Sequence, residues 1–364
     1  MHTPTKLRVG LLYGGQSPEH EVSVQSARNV YRALDTTLFE PILVAVTRTG
    51  VWQLADETSL FARDAIEEAT GTPLALVPGG HGLLVGQGRT EPIAALDVVF
   101  PVLHGPHGED GALQGLLELA GVPCVGPGIL GSAVGMDKDV MKRLLREAGL
   151  PVTPSVVLRA HEQDAADPVA MLRQLGPTVY VKPANMGSSV GVGRADTPET
   201  LKAALSTAFA YDTKVLIETA ASGREIECAV LGNTDPAASV LGCIAPRSGD
   251  FYSYEAKYLD ENGAQFEVPA RLPEAVTAAA RQLAVKAYTA LEAEGLARVD
   301  MFIDDAGTIL INEINTLPGF TKISMYPKLW EASGLPYGEL ITKLIHLARE
   351  RHQRRAGLAA AQLS

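Results

Sequence analysis

The chain has 364 residues, of which 46% are hydrophobic and 20% charged, so it should bury the cores of two or three domains and not be disordered. Its 42 acidic and 31 basic residues give a formal charge of −11, which argues against nucleic acid as the main partner. No apolar stretch is long enough to cross a bilayer, and the N-terminus has no apolar signal core.

Two further features of the composition bear on the compartment and on the C-terminus. The three cysteines (Cys124, Cys228 and Cys243) show no C-x-x-C spacing and sit in apolar surroundings, so we expect buried thiols in a cytoplasmic protein. The basic cluster 349–355 is expected to be a solvated helix terminus.

Strand and helix alternate over the first part of the chain, up to about residue 127. Strands are predicted at 7–13, 40–47 and 97–103, and helices at 22–34 and 111–120. This alternation predicts a parallel α/β sheet, whose functional loops gather at the carboxyl ends of the strands. The loops 14–21 (G-G-Q-S-P-E-H-E) and 104–111 (H-G-P-H-G-E-D-G) qualify. His104 and His107 form H-x-x-H, but the intervening Gly-Pro breaks any helix that would aim both at zinc.

The second part, 128–218, should open with a helix over 137–148 that Gly149 and Pro151 stop. The apolar face of this helix is predicted to comprise Val140, Met141, Leu144, Leu145 and Ala148. Short strands at 155–158 and 179–182 precede a glycine-rich segment, 187–193, and a helix capped by Thr197. The third part should hold strands at 215–218, 225–231 and 239–244, a helix at 273–294, an acidic hairpin and a terminal helix.

Gly126, Gly128 and Gly131 spell G-x-G-x-x-G after the apolar run V-P-C-V. As a dinucleotide fingerprint the match is poor, because Pro151 stands where the ribose-binding acid is expected. We interpret the segment as a domain junction. A Walker A sequence does not occur in the chain.

The acidic hairpin is the segment that points most directly to chemistry. Two β-rich runs, 297–304 and 308–314, flank a turn around Ala306-Gly307, and a loop of two or four residues would place Asp300 opposite Glu313 and Arg298 opposite Asn315. All four side chains would then share one face. Two opposed carboxylates repel unless a cation lies between them, and such hard oxygens suit Mg²⁺ held together with phosphate.

Lysines and the glycine-rich segment are candidates for binding phosphate. Lys182 ends a strand and precedes 187–193, whose backbone N–H groups could wrap an anion while Ser188 and Ser189 add donors. Taken alone, this segment could be a mobile hairpin tip, and Lys138 and Lys257 could be surface residues.

The order of these pieces decides between the alternatives. Lys138, then V-K-P-A-N-M-G-S-S-V-G-V-G, then I-E-T-A-A-S-G-R-E and the acidic hairpin resemble an ATP-grasp enzyme. More closely, the chain resembles the D-alanine–D-alanine ligase family in the blocks G-G-Q-S-P-E-H-E-V-S, H-G-x-x-G-E-D-G, M-D-K, G-S-S-V-G, Y-E-A-K-Y, A-R-V-D and N-E-I-N-T-L-P-G-F-T. The segment 58–87 and the tail after about residue 351 lie outside these blocks.

The resemblance implies an α/β fold, α+β in the C-terminal part, of the ATP-grasp type. It divides the chain into an N-terminal parallel α/β substrate domain (1–127), a central subdomain (128–218), a C-terminal subdomain with the metal site (219–350) and a tail (351–364). The nucleotide would lie between the central and C-terminal subdomains. A homodimer is also implied.

The implied reaction is ATP-dependent ligation of two D-alanines through a D-alanyl phosphate, for peptidoglycan precursor synthesis. The metal ligands would be Asp300, Glu313 and Asn315, holding two Mg²⁺ ions or Mn²⁺. ATP would be bound by Lys138, Lys182, Ser189, Glu218, Ala221, Glu225 and Lys257. The catalytic residues would be Glu19, Ser188, Tyr258, Arg298 and Gly319, and the substrates would also contact His104, Lys257 and Ser324.

Three alternatives remain at this stage: a depsipeptide-forming or other ATP-grasp ligase, a nucleotide-binding regulator without catalysis, and a dehydrogenase using the Gly126 segment. The residues alone do not fix the stereochemistry of the substrate, and activation by a monovalent cation is left open.

Overall fold

The structure is a computed structural model, and it describes residues 5–89, 91–246 and 264–362. The first third contains β1 (Leu7–Gly14), α1 (His20–Ala33), β2 (Phe39–Val46), β3 (Trp52–Leu54), α2 (Glu57–Ala62), β4 (Pro73–Leu76), β5 (Leu83–Gly86), β6 (Pro92–Ala95), β7 (Val98–Pro101) and α3 (Ala112–Leu119). The middle contains α4 (Ile129–Met136), α5 (Lys138–Glu147), β8 (Ser155–Arg159), a 3₁₀ helix (Ala160–Ala165), α6 (Pro168–Leu175), β9 (Val179–Pro183), β10 (Gly193–Ala195), α7 (Pro198–Phe209) and β11 (Lys214–Thr219). The last part contains β12 (Arg224–Gly232), β13 (Ala237–Pro246), β14 (Ala264–Glu267), α8 (Glu274–Ala290), β15 (Gly295–Ile303), β16 (Ile309–Asn315), α9 (Met325–Ala332) and α10 (Tyr337–Gln362).

The N-terminal sheet has the strand order β6-β5-β4-β3-β2-β1-β7. Its parallel part, β2-β1-β7, confirms the predicted α/β arrangement. Four further strands, β3 to β6, extend the sheet antiparallel, which the sequence analysis did not anticipate. The connections β2–β3, β4–β5 and β5–β6 are too short for the crossover of a dozen residues or more that a parallel pair needs, whereas β3 and β4 are joined by a longer segment that contains α2.

The central sheet, β10-β9-β11-β8, is antiparallel throughout and packs against α6 and α7. The predicted strands at 155–158 and 179–182 are β8 and β9. The predicted cap of α7 is also confirmed, because the Thr197 side chain accepts from the Thr200 N–H and Pro198 stands at the first helical position. The glycine-rich segment lies in the connection between β9 and β10.

The C-terminal sheet, β14-β13-β12-β15-β16, buries one face under α8 and α5. Its other face joins the N-terminal sheet, α1, α9 and α10 in one continuous core. Within that core the Phe320 ring packs edge-on against Phe100 of β7, with ring centroids 5.5 Å apart. The backbone of Phe320 is also fixed by α1, because Ser26 Oγ accepts from its N–H at 3.1 Å. The turn that precedes α9 is thereby held against the N-terminal loops.

The expectation of a solvated basic terminus is wrong for Arg351. Helix α10 continues to Gln362, and Arg351 is buried and donates to the carbonyl oxygens of Cys124 and Gly126. Its charge is balanced by Glu294, whose carboxylate is also paired with Arg354. The second half of α10 therefore connects the segment that follows the N-terminal sheet to the turn that precedes β15.

The cysteines are buried, as predicted, and burial raises the pKa of Cys124 and of Cys228 to about 12. In 5–89, 91–246 and 264–362, no helix combines the length and the apolar character needed to cross a membrane.

Candidate active site

A cavity opens where the N-terminal loops, the start of α5, the glycine-rich segment and the β15–β16 hairpin meet. Nine of the residues singled out from the sequence line it: Glu19, His104, Lys138, Ser188, Arg298, Glu313, Asn315, Gly319 and Ser324. Residues separated by up to about 300 positions in the chain thus converge on one space, which is the arrangement expected of a binding site and not of scattered surface charges.

The hairpin register matches the prediction, but for a different reason. Asp300 is paired with Glu313 and Arg298 with Asn315. The loop is odd in length, because Ile303 pairs with Ile309, and a β-bulge between Asp300 and Met301 restores the register by leaving Asn312 as the extra residue. Without that bulge, Asn312 would stand opposite Asp300. The side chains of Glu313 and Asn315 would then turn to the opposite face of the sheet.

Cations neutralise the opposed acids of the hairpin. Arg298 grips Asp300 through two parallel bonds, Nε to Oδ1 and Nη2 to Oδ2, each 2.7 Å long. Its Nε also lies 3.2 Å from Oε2 of Glu227. Glu227 is on β12 and stands opposite Asp300 in the strand register. On the other strand, Lys138 Nζ is 3.3 Å from Glu313 Oε2. Glu227 is a buried acid of the site that the sequence analysis missed; its alternation with Glu225 on a predicted strand was the available signal.

The donor set of the hairpin fits a hard divalent cation. Asn315 Oδ1 is buried and has no hydrogen-bond partner within the described ranges, which is costly for an amide oxygen unless a ligand completes it. Glu313 lines the same cavity with a partly exposed carboxylate. Both oxygens of the third predicted ligand, Asp300, are bound by Arg298, and the described part of the chain contains no cluster of three His, Cys, Asp or Glu side chains that could hold a metal ion.

The M-D-K motif fixes the start of α5. The Asp137 side chain caps the helix by accepting from the N–H groups of Asp139 and Val140, and Lys214 Nζ holds the same carboxylate at 2.6 and 2.7 Å. Lys138, the first helical residue, donates from Nζ to the Met186 carbonyl at 2.7 Å. A helix N-terminus and an anchored ammonium group therefore lie beside the glycine-rich segment, an arrangement suited to phosphate.

A second charged cluster lies deeper, between α5 and the central sheet. Glu218 is buried and paired with two lysines: Lys182 Nζ at 2.7 Å from Oε2 and Lys142 Nζ at 3.0 Å from Oε1. Lys182 Nζ also donates to Oδ1 of the bulge residue Asn312 at 3.1 Å. Burial alone would raise the pKa of Glu218, but attraction to both lysines outweighs it and holds the pKa below its usual value.

The predicted apolar face of α5 needs correction at this cluster. Leu144 is 37% exposed, Ala148 is exposed and Val140 is only half-buried, whereas Lys142 is fully buried beside Met141 and Leu145. The hydrophobic pattern could not show this, because a lysine is buried here by an ion pair with a residue 76 positions away. Its spacing of four from Lys138 was the one available signal.

The glycine-rich segment approaches the N-terminal loops closely. Ser188 and Ser189 both adopt left-handed backbone conformations, with φ of 50° and 60°, which cost non-glycine residues about 1–2 kcal/mol each. A Cβ on Gly187 would lie 3.4 Å from Glu19 Oε2, so the Glu19 carboxylate rests against this backbone. Ser17 Oγ accepts from the Glu19 N–H, and Glu19 is among the residues that line the cavity.

The loop 104–111 is locked to the segment that follows the hairpin. The carbonyl of Leu317 lies 3.0 Å from His104 Nδ1 and can only accept, so Nδ1 carries a proton, and in the neutral imidazole Nε2 is then an acceptor; Nε2 is buried and has no partner among the described residues. Glu109 accepts from the N–H groups of Gly105 at 2.8 Å and Leu317 at 3.3 Å. Burial, together with the nearby Glu19 carboxylate, raises the pKa of Glu109 to about 8. Glu109 was missed in the sequence analysis, although it stands in the G-E-D-G block.

Gly319 and Ser324 face each other across the turn before α9. A Cβ on Gly319 would lie 2.8 Å from Ser324 Oγ, so no larger residue fits without a shift. Ser324 Oγ accepts from the Thr321 N–H at 2.9 Å, which fixes its position.

Other predicted residues do not line this cavity. Asp300 is bound by Arg298; Lys182 and Glu218 form the deeper cluster; Ser189 lies in the connection between β9 and β10, Ala221 in the connection between β11 and β12, and Glu225 on β12. Lys257 and Tyr258 lie outside the described residues.

Comparison with known proteins gives a consistent picture. The family model for the D-ala D-ala ligase N-terminus matches residues 8–127, and the model for the D-ala D-ala ligase C-terminus matches 144–346. A "D-alanine--D-alanine ligase A" of Chromobacterium violaceum is 53% identical over 353 residues, covering 95% of this chain and 96% of that protein.

Two solved structures share the fold. The D-alanine-D-alanine ligase of Coxiella burnetii is 38% identical with a TM-score of 0.86, covering 98% of this chain and 97% of that one. The VanG D-Ala:D-Ser ligase of Enterococcus faecalis is 35% identical with a TM-score of 0.84, covering 94% of this chain and all of that one.

Proposed function

Since this chain belongs to the D-alanine–D-alanine ligase family and is an ATP-dependent ligase that joins two D-alanines for peptidoglycan synthesis, we propose how its side chains divide that work. One observation supports the division most strongly. The hairpin residues Arg298, Glu313 and Asn315 line the same cavity as Glu19 and Ser324, which come from the opposite ends of the chain.

The nucleotide would bind between the central and C-terminal sheets. Glu218 would accept the adenine amino group, Ala221 would offer backbone to the ring, and Glu225 would bind the ribose hydroxyls. The phosphates would be held by Lys138, Lys182, Lys257 and the Ser189 segment. Support comes from the ion pairs of Lys138 with Glu313 and of Lys182 with Glu218, which hold two ammonium groups in place beside acids of the C-terminal and central sheets.

Mg²⁺, or Mn²⁺ in its place, would be held by Glu313 and Asn315 together with Asp300. The buried Asn315 oxygen without a partner in the described ranges is the observation that fits this group. When bound, two such ions would neutralise charge on the β- and γ-phosphates. The residues of the chain would align the reactants and exclude water.

The first D-alanine would place its ammonium group at Glu19 and its carboxylate beside Arg298. Attack of that carboxylate on the γ-phosphorus forms D-alanyl phosphate and releases ADP. His104 lies at the same subsite, and the tautomer fixed by Leu317 leaves Nε2 as an acceptor for a substrate N–H or an ordered water.

The second D-alanine would bind its carboxylate at Ser324 and Lys257. Attack of its amine on the acyl phosphate gives a tetrahedral oxyanion that faces Arg298 and the Gly319 amide, and phosphate then leaves. Tyr258 and Ser188 would link Glu19 to the amine. An acyl phosphate hydrolyses in water, so we expect the segment 187–193 to close over it; the segment 254–258, the other cover expected from the sequence, lies outside the described residues.

Phosphate release tests the function directly. With ATP and Mg²⁺, D-alanine should elicit rapid release of phosphate, whereas L-alanine or no amino acid should leave the background rate. A chain that released phosphate equally in all three would not be a D-alanine ligase.

A second candidate function concerns the second substrate. The D-Ala:D-Ser ligase among the structural neighbours shows that this fold serves other acceptors. Offering D-alanine, D-serine and D-lactate in competition, with the products resolved by mass, decides which acceptor is preferred: D-alanine and D-serine give dipeptides, whereas D-lactate gives a depsipeptide. We propose D-alanine as the preferred acceptor.

We also propose a homodimer in the cytoplasm. Helices α3 and α4 pack together and expose neighbouring apolar side chains: Leu116, Leu119, Ile129 and Leu130. Leu119 and Leu130 are 71% and 59% exposed, so a second copy that covers this α3–α4 patch would remove it from water. The boundaries 1–127, 128–218, 219–350 and 351–364 remain our proposed domain division.

A further inference from the structure

Lys142 is the feature of the nucleotide side that the proposed roles leave unexplained. Its side chain is only 1% exposed, on the second turn of α5. Burying an ammonium group is costly, and a well-packed apolar residue would often stabilise a core equally well. A lysine at such a place therefore calls for a reason other than stability.

The partner of Lys142 supplies that reason. Oε1 of Glu218 lies 3.0 Å from Lys142 Nζ, while Oε2 lies 2.7 Å from Lys182 Nζ. One ammonium group would neutralise the carboxylate, so the second is in excess as long as both remain in place. The two lysines differ in how easily their ammonium groups could move. The Lys182 side chain is 14% exposed and is hydrogen-bonded to Asn312 as well as paired with Glu218, whereas the Lys142 side chain is enclosed by protein.

Nucleotide binding would use this difference. If Lys182 turns towards phosphate oxygens, Glu218 loses one of its two cations at the moment it must accept the adenine amino group. Lys142 stays, because its Nζ is held inside the protein on the same helix face as Lys138. The first two turns of α5 would thus contact the nucleotide site at two points: Lys138 lies beside Glu313, and Lys142 lies beside Glu218.

We propose that Lys142 is a positioning residue that keeps Glu218 ionised and oriented, and that it thereby makes the site select 6-amino over 6-oxo purine nucleotides. The inference rests on the proposed contact of Glu218 with adenine. An ionised carboxylate accepts from an amino group and repels a carbonyl oxygen, whereas a protonated one can donate to that oxygen.

The charges around the pair agree with this role. Burial lowers the pKa of Lys142, and repulsion from Lys182 adds to this against the attraction of Glu218. Burial would also lower the pKa of Lys182, but Glu218, Glu313 and Glu225 together raise it. Removing Lys142 takes away one of the two cations that hold the pKa of Glu218 low, so the variant should bind ATP less well as the pH falls.

The experiment compares ATP with inosine triphosphate in the phosphate-release assay, in the intact enzyme with D-alanine, over pH 6 to 9. For Lys142→Met we expect the ratio of kcat/KM for ATP to that for inosine triphosphate to fall by about 10-fold or more, mostly through KM for ATP. The loss should be larger at low pH. Lys202→Met, which removes an exposed lysine of α7, is the matched control and should leave the ratio unchanged.

Further variants separate the outcomes. Glu218→Gln alone should reduce the ratio; if it does not, the proposed adenine contact fails. If Glu218→Gln reduces the ratio but Lys142→Met leaves it unchanged and independent of pH, only the present inference is overturned.

Should Lys142→Met alone not fold, the double variant with Glu218→Gln carries no unpaired buried carboxylate and serves instead. We expect its ratio to equal that of Glu218→Gln, since Lys142 would act only through Glu218. A further change of about 10-fold in the double variant would contradict the inference.

Discussion

Replacing Arg298 with lysine tests whether this residue stabilises the tetrahedral oxyanion or only holds the Asp300 side chain in place. Arginine makes two parallel 2.7 Å bonds to Asp300 and approaches Glu227 at 3.2 Å, and lysine keeps the charge but loses the fork. The affected carboxylate is only 2% exposed, so water cannot replace the lost bond.

The structure sets the expected size of both effects. One charge-assisted hydrogen bond is lost at a buried site, so the free energy of unfolding should fall by about 1.5–3 kcal/mol. If Arg298 also faces the tetrahedral oxyanion, kcat should fall by about 10²–10³-fold, as for other oxyanion donors. Urea denaturation measures the first quantity and phosphate release at saturating substrates measures the second.

Arg8→Lys provides the matched control. Arg8 also binds a carboxylate through Nε and Nη2, at 3.0 and 2.8 Å, but the Arg8 and Asp97 side chains are 41% and 31% exposed. Its loss should cost no more than about 1 kcal/mol and leave kcat unchanged. If Arg298→Lys loses stability but keeps kcat within about threefold of the wild type, the oxyanion role is refuted and Arg298 is only a structural partner of Asp300.

Four other predictions follow from single contacts. Asn315→Leu should raise the half-saturating Mg²⁺ concentration for phosphate release by at least about 10-fold, because it removes a buried ligand oxygen, while the melting temperature stays unchanged. Gly319→Ala should lower kcat/KM for D-alanine by roughly 10–100-fold, since the new Cβ would displace Ser324 Oγ, 2.8 Å away. The pKa of Glu109, raised from 4.5 to about 8 mainly by burial, means that the folded state binds this proton more tightly than the unfolded state. Unfolding free energy should therefore fall between about pH 4.5 and 8, by up to about 5 kcal/mol, and Glu109→Gln should remove this slope in denaturation measured at several pH values. Leu119→Glu in the α3–α4 patch should halve the particle mass in light scattering.

Each of these has an outcome that contradicts it. An unchanged Mg²⁺ requirement in Asn315→Leu would remove that residue from the metal site. Full activity in Gly319→Ala would mean that the turn is more adaptable than its contacts indicate. A pH slope that persists in Glu109→Gln would assign the titration to another group, and a dimer that survives Leu119→Glu would place the interface elsewhere.

The hairpin shows how far sequence reasoning reaches and where it stops. Alternation of polar and apolar residues predicted that Asp300 and Glu313 share a face, and they are paired in the structure. The turn length was wrong, and the pairing still holds because the bulge at Asn312 adds one residue. Side-chain periodicity alone shows neither the odd loop length nor the bulge. The prediction of the pairing was therefore correct only because the wrong loop length and the unpredicted bulge compensated for each other.

Long-range ion pairs account for most of what the sequence did not show. From the sequence alone, Lys142 resembles a solvated helix residue, but in the structure it is paired with Glu218. Arg351 likewise resembles a surface charge, but it donates to the carbonyl oxygen of Gly126. Periodicity describes what one element buries by itself, whereas these charges are buried by partners from other elements. The family blocks located nine of the residues that line the cavity, but Glu109 and Glu227 emerged only from the geometry.

The central claim is that a D-alanine carboxylate takes up the γ-phosphoryl group in the cavity shared by Arg298, Glu313 and Asn315. The most direct test supplies D-alanine labelled with ¹⁸O in its carboxyl group and analyses the released phosphate by ³¹P NMR. We predict that phosphate carries one ¹⁸O atom per dipeptide formed, because the acyl phosphate transfers a carboxyl oxygen when it breaks down. Unlabelled phosphate formed together with dipeptide would show that the carboxylate was never phosphorylated, and the proposed mechanism would be wrong.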